Sequence, residues 1–279
     1  MIGPERFGPI AMSRSSATTA DTKAGAKKRF GQNFLQDPHV VARILEAVRP
    51  QRGDRLVEIG PGRGALTSGL VSGAGSITAI EIDRDLVPML QARFGEDLSL
   101  LDQDVLTVDF AALSAQLGGP LRIVGNLPYN ISSPILFMLL PLAHCVMDQT
   151  FMLQQEVVER MVALHGSKRY GRLSVMLQAR YEMTTLMHVP PAAFSPAPAV
   201  NSAVVLMWPL PPAQVTVRDW AVFEAFVAAA FSTRRKMIRN TLSGYLDRLD
   251  LEAAGVRPTQ RPEEVSVASF VTLANQLVN

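Results

Sequence analysis

A single cysteine, Cys145, occurs in 279 residues. A disulfide framework and a cysteine-rich metal cluster are therefore excluded, and the chain suits a reducing compartment, the cytoplasm. Long apolar runs are missing too. Residues 135–140 are apolar, but Pro141 ends the run, and no run approaches the roughly 20 residues that span a bilayer. Neither sign of charge dominates: 27 Lys+Arg against 25 Asp+Glu give a formal net charge of +2. Attraction to nucleic acid would have to come from local basic clusters, because phosphate contact depends on nearby charge. The four histidines, His39, His144, His165 and His188, share no spacing that suggests metal ligation. What is present, 48% hydrophobic and 19% charged residues, describes a folded chain with a full core.

Residues 1–24 combine Gly, Pro, Ser, Thr and Ala without an apolar period and read as a disordered tail. Past it, Asp37-Pro38 is a helix start, a capping side chain followed by proline at the first helical position. Residues 55–59, 76–80, 98–101 and 121–124 read as strands, with helical patterns at 65–71, 84–94 and 110–117 between them. Such alternation implies an α/β fold with a mostly parallel sheet covered on both faces. Beyond it, 146–153 reads as a strand, 155–164 and 172–181 as helices, and 202–207 as a late strand. Pro209, Pro211 and Pro212 form a stiff linker that divides a catalytic domain, 25–208, from a small helical domain, 209–279. In that second part Trp220, Phe223, Val227 and Phe231 recur at helical spacing, and a second helix carries Met237, Ile238, Leu242 and Tyr245.

Glu58-Ile59-Gly60-Pro61-Gly62-Arg63-Gly64 falls where a strand ends and a helix begins. Glycines there permit positive φ and let a ligand approach the backbone. Glu81, 21 residues after Gly60, is placed to accept from two ribose hydroxyls, and Asp104 to accept from an adenine amino group. Two cofactors fit this much. Gly60, Gly62 and Ala65 can be read as a dinucleotide fingerprint, with NAD as ligand, or the loop can serve S-adenosylmethionine.

The end of the fourth strand carries Asn126-Leu127-Pro128-Tyr129. This resembles the Asn/Asp-Pro-Pro-Tyr/Phe signature of methyltransferases acting on exocyclic amino groups of nucleobases, with Leu127 replacing the first proline. The residue types suit that chemistry. An exocyclic adenine nitrogen is a poor nucleophile because its lone pair is delocalised into the ring. The Asn126 amide oxygen and the Leu127 carbonyl can accept both amino hydrogens and favour a pyramidal nitrogen. Tyr129 offers a ring for stacking, and Pro128 fixes the loop.

Phe30-Gly31-Gln32-Asn33-Phe34-Leu35, the glycine loop, Glu81, Gln103-Asp104, residues 126–130, 151–156, 170–174 and 194–202 occur in one order. That order resembles the ribosomal RNA adenine N6,N6-dimethyltransferase family, and Leu127 with the 189–194 run resembles its small-subunit branch. Relatives of the macrolide-resistance type, which modify large-subunit RNA, are the near alternative. The resemblance covers the chain from about Lys27 onward and implies a Rossmann-like methyltransferase domain that uses S-adenosylmethionine. It implies that Asn33, Leu35, Gly60, Gly62, Glu81, Asp104 and Asn126 bind the cofactor. Tyr129 and Phe194 would then sandwich the target base. It also implies a monomer acting on small-subunit ribosomal RNA in an immature 30S-type particle, with two adjacent adenosines dimethylated. A nicotinamide-dependent oxidoreductase and a ribosome-assembly factor that only binds are the competing readings.

Arg234, Arg235, Lys236 and Arg239 form a cationic run on the second C-terminal helix, and Lys27, Lys28 and Arg29 form a basic arm. By charge alone both read as solvated; with the resemblance they become RNA-facing patches that grip phosphates. No metal is called for.

Overall fold

The computed structural model describes residues 32–233 and 235–278. Lys27, Lys28, Arg29 and Arg234, along with the N-terminal tail, lie outside that set. A two-residue strand, β1 (Phe34–Leu35), leads into α1 (Pro38–Val48). The Asp37 carboxylate accepts from the backbone N–H groups of His39 at 2.8 Å and Val40 at 3.4 Å, the cap its sequence predicts. Four strands follow: β2 (Leu56–Ile59), β3 (Ile77–Glu81), β4 (Leu98–Asp102) and β5 (Leu121–Asn126). Between them lie α2 (Thr67–Ala74), α3 (Val87–Phe94) and α4 (Phe110–Gln116), and α5 (Ser132–Leu139) follows β5.

The chain continues through β6 (Val146–Gln154), α6 (Gln155–Met161), α7 (Arg172–Gln178), β7 (Tyr181–Val189), a short β8 (Phe194–Ser195) and β9 (Ser202–Pro209). Seven strands form the main sheet in the order β4-β3-β2-β5-β6-β9-β7. The pairs from β4 to β6 are parallel, and β9 runs antiparallel between β6 and β7. This differs from the six-stranded 3-2-1-4-5-6 dinucleotide order by that inserted antiparallel strand. The chain leaves β2 toward one edge and returns beside it as β5. The carboxyl ends of β2 and β5 therefore flank the crevice where open α/β sheets bind ligands.

Side-chain alternation along the strands divides the core in two. Leu56, Ile77, Ala79 and Val124 face α1, α2 and α3, meeting Ile44, Leu70 and Leu90. Val57, Ile59, Ile80, Ile123 and Phe151 face the other way, toward Phe110 of α4 and Leu136 and Leu139 of α5. That second cluster runs without a break into α8 (Trp220–Ala230), α9 (Ile238–Thr241) and α10 (Val267–Asn275), through Phe223, Phe226, Ile238 and Phe270.

Two sequence expectations fail in the second half. The helix expected over 172–181 stops at Gln178, and Tyr181 opens β7, which the periodicity did not predict. A register shift between Thr185 and Met187 breaks the two-residue alternation that would have marked a strand. The second C-terminal helix is also shorter than expected. α9 holds only Ile238–Thr241, so Arg235 and Lys236 sit in the turn ahead of it and only Arg239 of the described cations is helical. Leu242 caps the helix, and Tyr245 folds against Phe226 by an edge-to-face contact instead of extending it.

Candidate active site

One cleft opens at the carboxyl ends of β2, β3 and β5. Asn33, Leu35, Gly60, Gly62, Glu81, Asp104, Asn126, Leu127, Pro128 and Tyr129 all line it. Residues from positions 33 to 129 thus converge because parallel strands end at the same edge of the sheet.

Gly60 and Gly62 adopt φ of 68° and 56°, the left-handed region that favours glycine. A Cβ on Gly62 would lie 3.1 Å from the Phe34 ring, so the loop closes tightly under β1. The Gly62 N–H donates to Glu81 Oε2 at 3.2 Å, and the Asp83 N–H donates to Oε1 at 2.9 Å. The carboxylate is thereby aimed by two backbone groups. Burial raises its pKa above the ordinary carboxylate value, against the lowering effect of those hydrogen bonds. Gln32 donates to Asp83 at 2.8 Å and joins the N-terminal segment to the same corner. Asp104 Oδ1 accepts from the Leu106 N–H at 3.0 Å, which fixes the second acidic wall.

Glu58 is only 2% exposed yet lines this cleft. It accepts from the Thr67 hydroxyl at 2.7 Å. Burial, helped by the neighbouring Glu81 charge, pushes its carboxyl up to about 7 although the Thr67 bond pulls the other way. Beneath the glycine cradle, the Glu81 carboxylate suits a ligand that carries positive charge and hydroxyl groups.

The opposite wall is the loop after β5. Asn126 donates its side-chain N–H to the Asn33 carbonyl at 3.0 Å, which leaves the amide oxygen as an acceptor. The Leu127 N–H donates to the Met152 carbonyl at 3.1 Å and ties the loop to β6. Tyr129 is half-buried, and its hydroxyl shares a 2.6 Å hydrogen bond with Ser202 at the start of β9. Burial holds that phenol above its ordinary pKa, so it stays neutral.

Phe194 is placed differently from the others. It is 5% exposed, pairs with Leu35 across the small β1–β8 sheet, and is not among the residues that line the cleft. Ala193 beside it accepts from the N–H groups of Gln36 and Asp37 at 2.8 and 3.2 Å. The Phe194 loop is thereby tied to segment 33–37. Arg235, Lys236 and Arg239 are exposed.

The family model described as "Ribosomal RNA adenine dimethylase" matches residues 23–279. The chain belongs to that family. A ribosomal RNA small subunit methyltransferase A from Aromatoleum aromaticum is 52% identical over 90% of this chain and 94% of its own length. One from Burkholderia pseudomallei is 51% identical over 91% and 94%. Among solved structures, a dimethyladenosine transferase from Plasmodium falciparum shares the fold, with a TM-score of 0.74 at 22% identity, covering 85% of this chain and 94% of that one. The 23S rRNA methyltransferase ErmE has a TM-score of 0.66 at 26% identity, covering 88% of this chain and all of that one. As a member of the rRNA adenine dimethylase family, the chain is an S-adenosylmethionine-dependent rRNA methyltransferase, and NAD is set aside.

Several residues in or beside this cleft carry little sequence mark of a role. Glu58 and Ser202 fall inside recognisable motifs, but their residue types alone assign them no role. Gly125 gives a weaker signal, although a Cβ there would lie 2.7 Å from the Ile59 carbonyl. A glycine inside a strand, just ahead of Asn126, is the one sequence mark of that close approach of backbones.

Among the described residues no group of acidic, histidine or cysteine side chains could hold a metal ion, and no helix is long and apolar enough to cross a membrane.

Proposed function

We propose that this protein dimethylates N6 of two adjacent adenosines in small-subunit ribosomal RNA, as a monomer acting on an immature small-subunit particle in the cytoplasm. The observation that carries the reading is the polarity of Asn126. With the amide turned so that one N–H donates to Asn33, its oxygen is the acceptor offered to an incoming amine.

Gly60 and Gly62 would hold the cofactor's backbone-lined side, with Glu81 at the ribose and Asp104 at the adenine. Asn33 and Leu35 would close over the methionine end. The residues fit the group: the φ values need glycine, and the acidic lining suits a cationic, hydroxylated ligand. When bound, S-adenosylmethionine supplies an electrophilic methyl on a positively charged sulfur.

The protein's own part is to make the amine nucleophilic and to place it. Asn126 Oδ1 and the Leu127 carbonyl accept the two N–H groups and draw the lone pair out of conjugation. Tyr129 stacks on the flipped base, and Phe194, buried beside the cleft, would have to turn outward to supply the second face of the sandwich. A methylated amine is acidic enough to lose its extra proton to water, so no strong base is required of the protein. Arg235, Lys236 and Arg239, with Lys27, Lys28, Arg29 and Arg234, grip RNA phosphates.

The test is mass spectrometry of RNA fragments after reaction with isolated small and large subunits. Dimethyladenosine at two neighbouring positions of the small-subunit RNA is the expected result. Modification confined to large-subunit RNA would overturn the reading in favour of the macrolide-resistance branch, which the 51–52% identical relatives disfavour.

A further inference from the structure

Ser202 lies 73 positions from Tyr129 in sequence and does not line the cleft, yet their hydroxyls share a 2.6 Å hydrogen bond. It is fully buried at the first position of β9. There it pairs with Gln154 of β6 on one side and Val189 of β7 on the other. A side chain rooted between two neighbouring strands is among the least movable points near the site.

Tyr129, in contrast, sits on a loop. Its backbone carbonyl accepts from the Ser132 hydroxyl at 3.1 Å, and the Ile131 N–H donates to the Pro128 carbonyl at 3.1 Å. These bonds fix the main chain and leave two side-chain torsions to set the ring plane. A hydrogen bond at the far tip of the ring restrains both. Burial keeps the phenol neutral, so the bond persists across the working pH range.

We infer that Ser202 is a positioning residue for methyl transfer: it holds the Tyr129 ring in its stacking orientation before the target base arrives. The inference rests on the proposed stacking role of Tyr129. A preset ring spares the ordering cost when the base enters, and it sets the angle at which N6 meets Asn126. Because stacking tolerates a swinging ring better than in-line transfer does, the effect belongs in the rate more than in RNA affinity.

The experiment is a double-mutant cycle on the full-length protein with Ser202→Ala, Tyr129→Phe and the double variant. Single-turnover methylation of small subunits is measured at saturating S-adenosylmethionine, with RNA affinity and thermal melts alongside. Each single variant is expected to slow the chemical step about three- to tenfold, the worth of one neutral hydrogen bond. The double variant is expected to be no slower than either. Equal and independent losses in the two backgrounds would show that Ser202 acts elsewhere, and the inference falls. A lowered melting temperature with an unchanged rate would also overturn it, as would wild-type behaviour of Ser202→Ala while Tyr129→Ala is inactive. If Tyr129→Ala itself reacts at the wild-type rate, the stacking reading fails first, and the inference with it.

Discussion

The side-chain N–H of Asn126 donates to the Asn33 carbonyl over 3.0 Å, joining the end of β5 to a segment 93 positions earlier. This bond fixes the orientation of the Asn126 amide and ties the N-terminal segment to the edge of the cleft. Asn126→Ala removes the positioned acceptor and should cut single-turnover methylation about a hundredfold or more, by analogy with single oxyanion-hole donors. RNA affinity should hold, since phosphate contacts dominate it. A near wild-type rate at saturating RNA and cofactor would remove Asn126 from the chemistry. Asn126→Asp keeps the acceptor but loses the donor to Asn33, and should fall between the two.

Tyr129→Ala deletes a stacking face worth roughly 1–3 kcal/mol for a flipped base. Tyr129→Phe keeps that face and should lose only the roughly three- to tenfold in rate that the Ser202 bond contributes. Equal inactivity of the two variants would mean that the hydroxyl does chemistry and stacking is the wrong account.

Glu81 is aimed by the backbone N–H groups of Gly62 and Asp83. Glu81→Ala should weaken S-adenosylmethionine binding by at least tenfold, because hydrogen bonds to a charged acceptor contribute on the order of 1.5–3 kcal/mol each. Calorimetry on the purified protein reads this directly, and an unchanged dissociation constant would assign the ribose to another residue.

Glu58 gives a pH signature. Its carboxyl is raised from 4.5 to about 7 in the fold. As pH climbs through that window the unfolded chain ionises first, while the folded chain keeps its proton. Stability must therefore fall with rising pH, by on the order of 3 kcal/mol once pH passes 7. Glu58→Gln can still accept from Thr67 and should flatten the decline. Thermal melts at pH 5 and pH 8 compare the two proteins; parallel slopes would mean that Glu58 ionises normally.

Arg235, Lys236 and Arg239 are exposed around the start of α9. Replacing all three with alanine should weaken RNA binding and reduce its salt slope by about one for each phosphate no longer neutralised. Affinity for S-adenosylhomocysteine should not change. An unaltered slope would return the cluster to a solvated surface.

The sequence alone determined the alternation of strands and helices, the glycine loop, the acidic residues at the ends of β3 and β4, and the tetrapeptide that starts at the end of β5. These are local signals: apolar period, turn residues, and fixed short spacings that a strand or helix end requires. What it left open depended on which distant segments meet. β7 lacks a clear sequence period because a bulge disrupts its alternation, and the basic run reads as helical because its apolar neighbours share helical spacing. Only the folded sheet, by inserting β9 between β6 and β7, brought Ser202 to Tyr129. Only the pairing of β1 with β8 buried Phe194 beside Leu35 and set the Asn33 carbonyl over Asn126. Such contacts are set by strand order and register, which depend on the packing of the whole sheet and leave no mark at any single position.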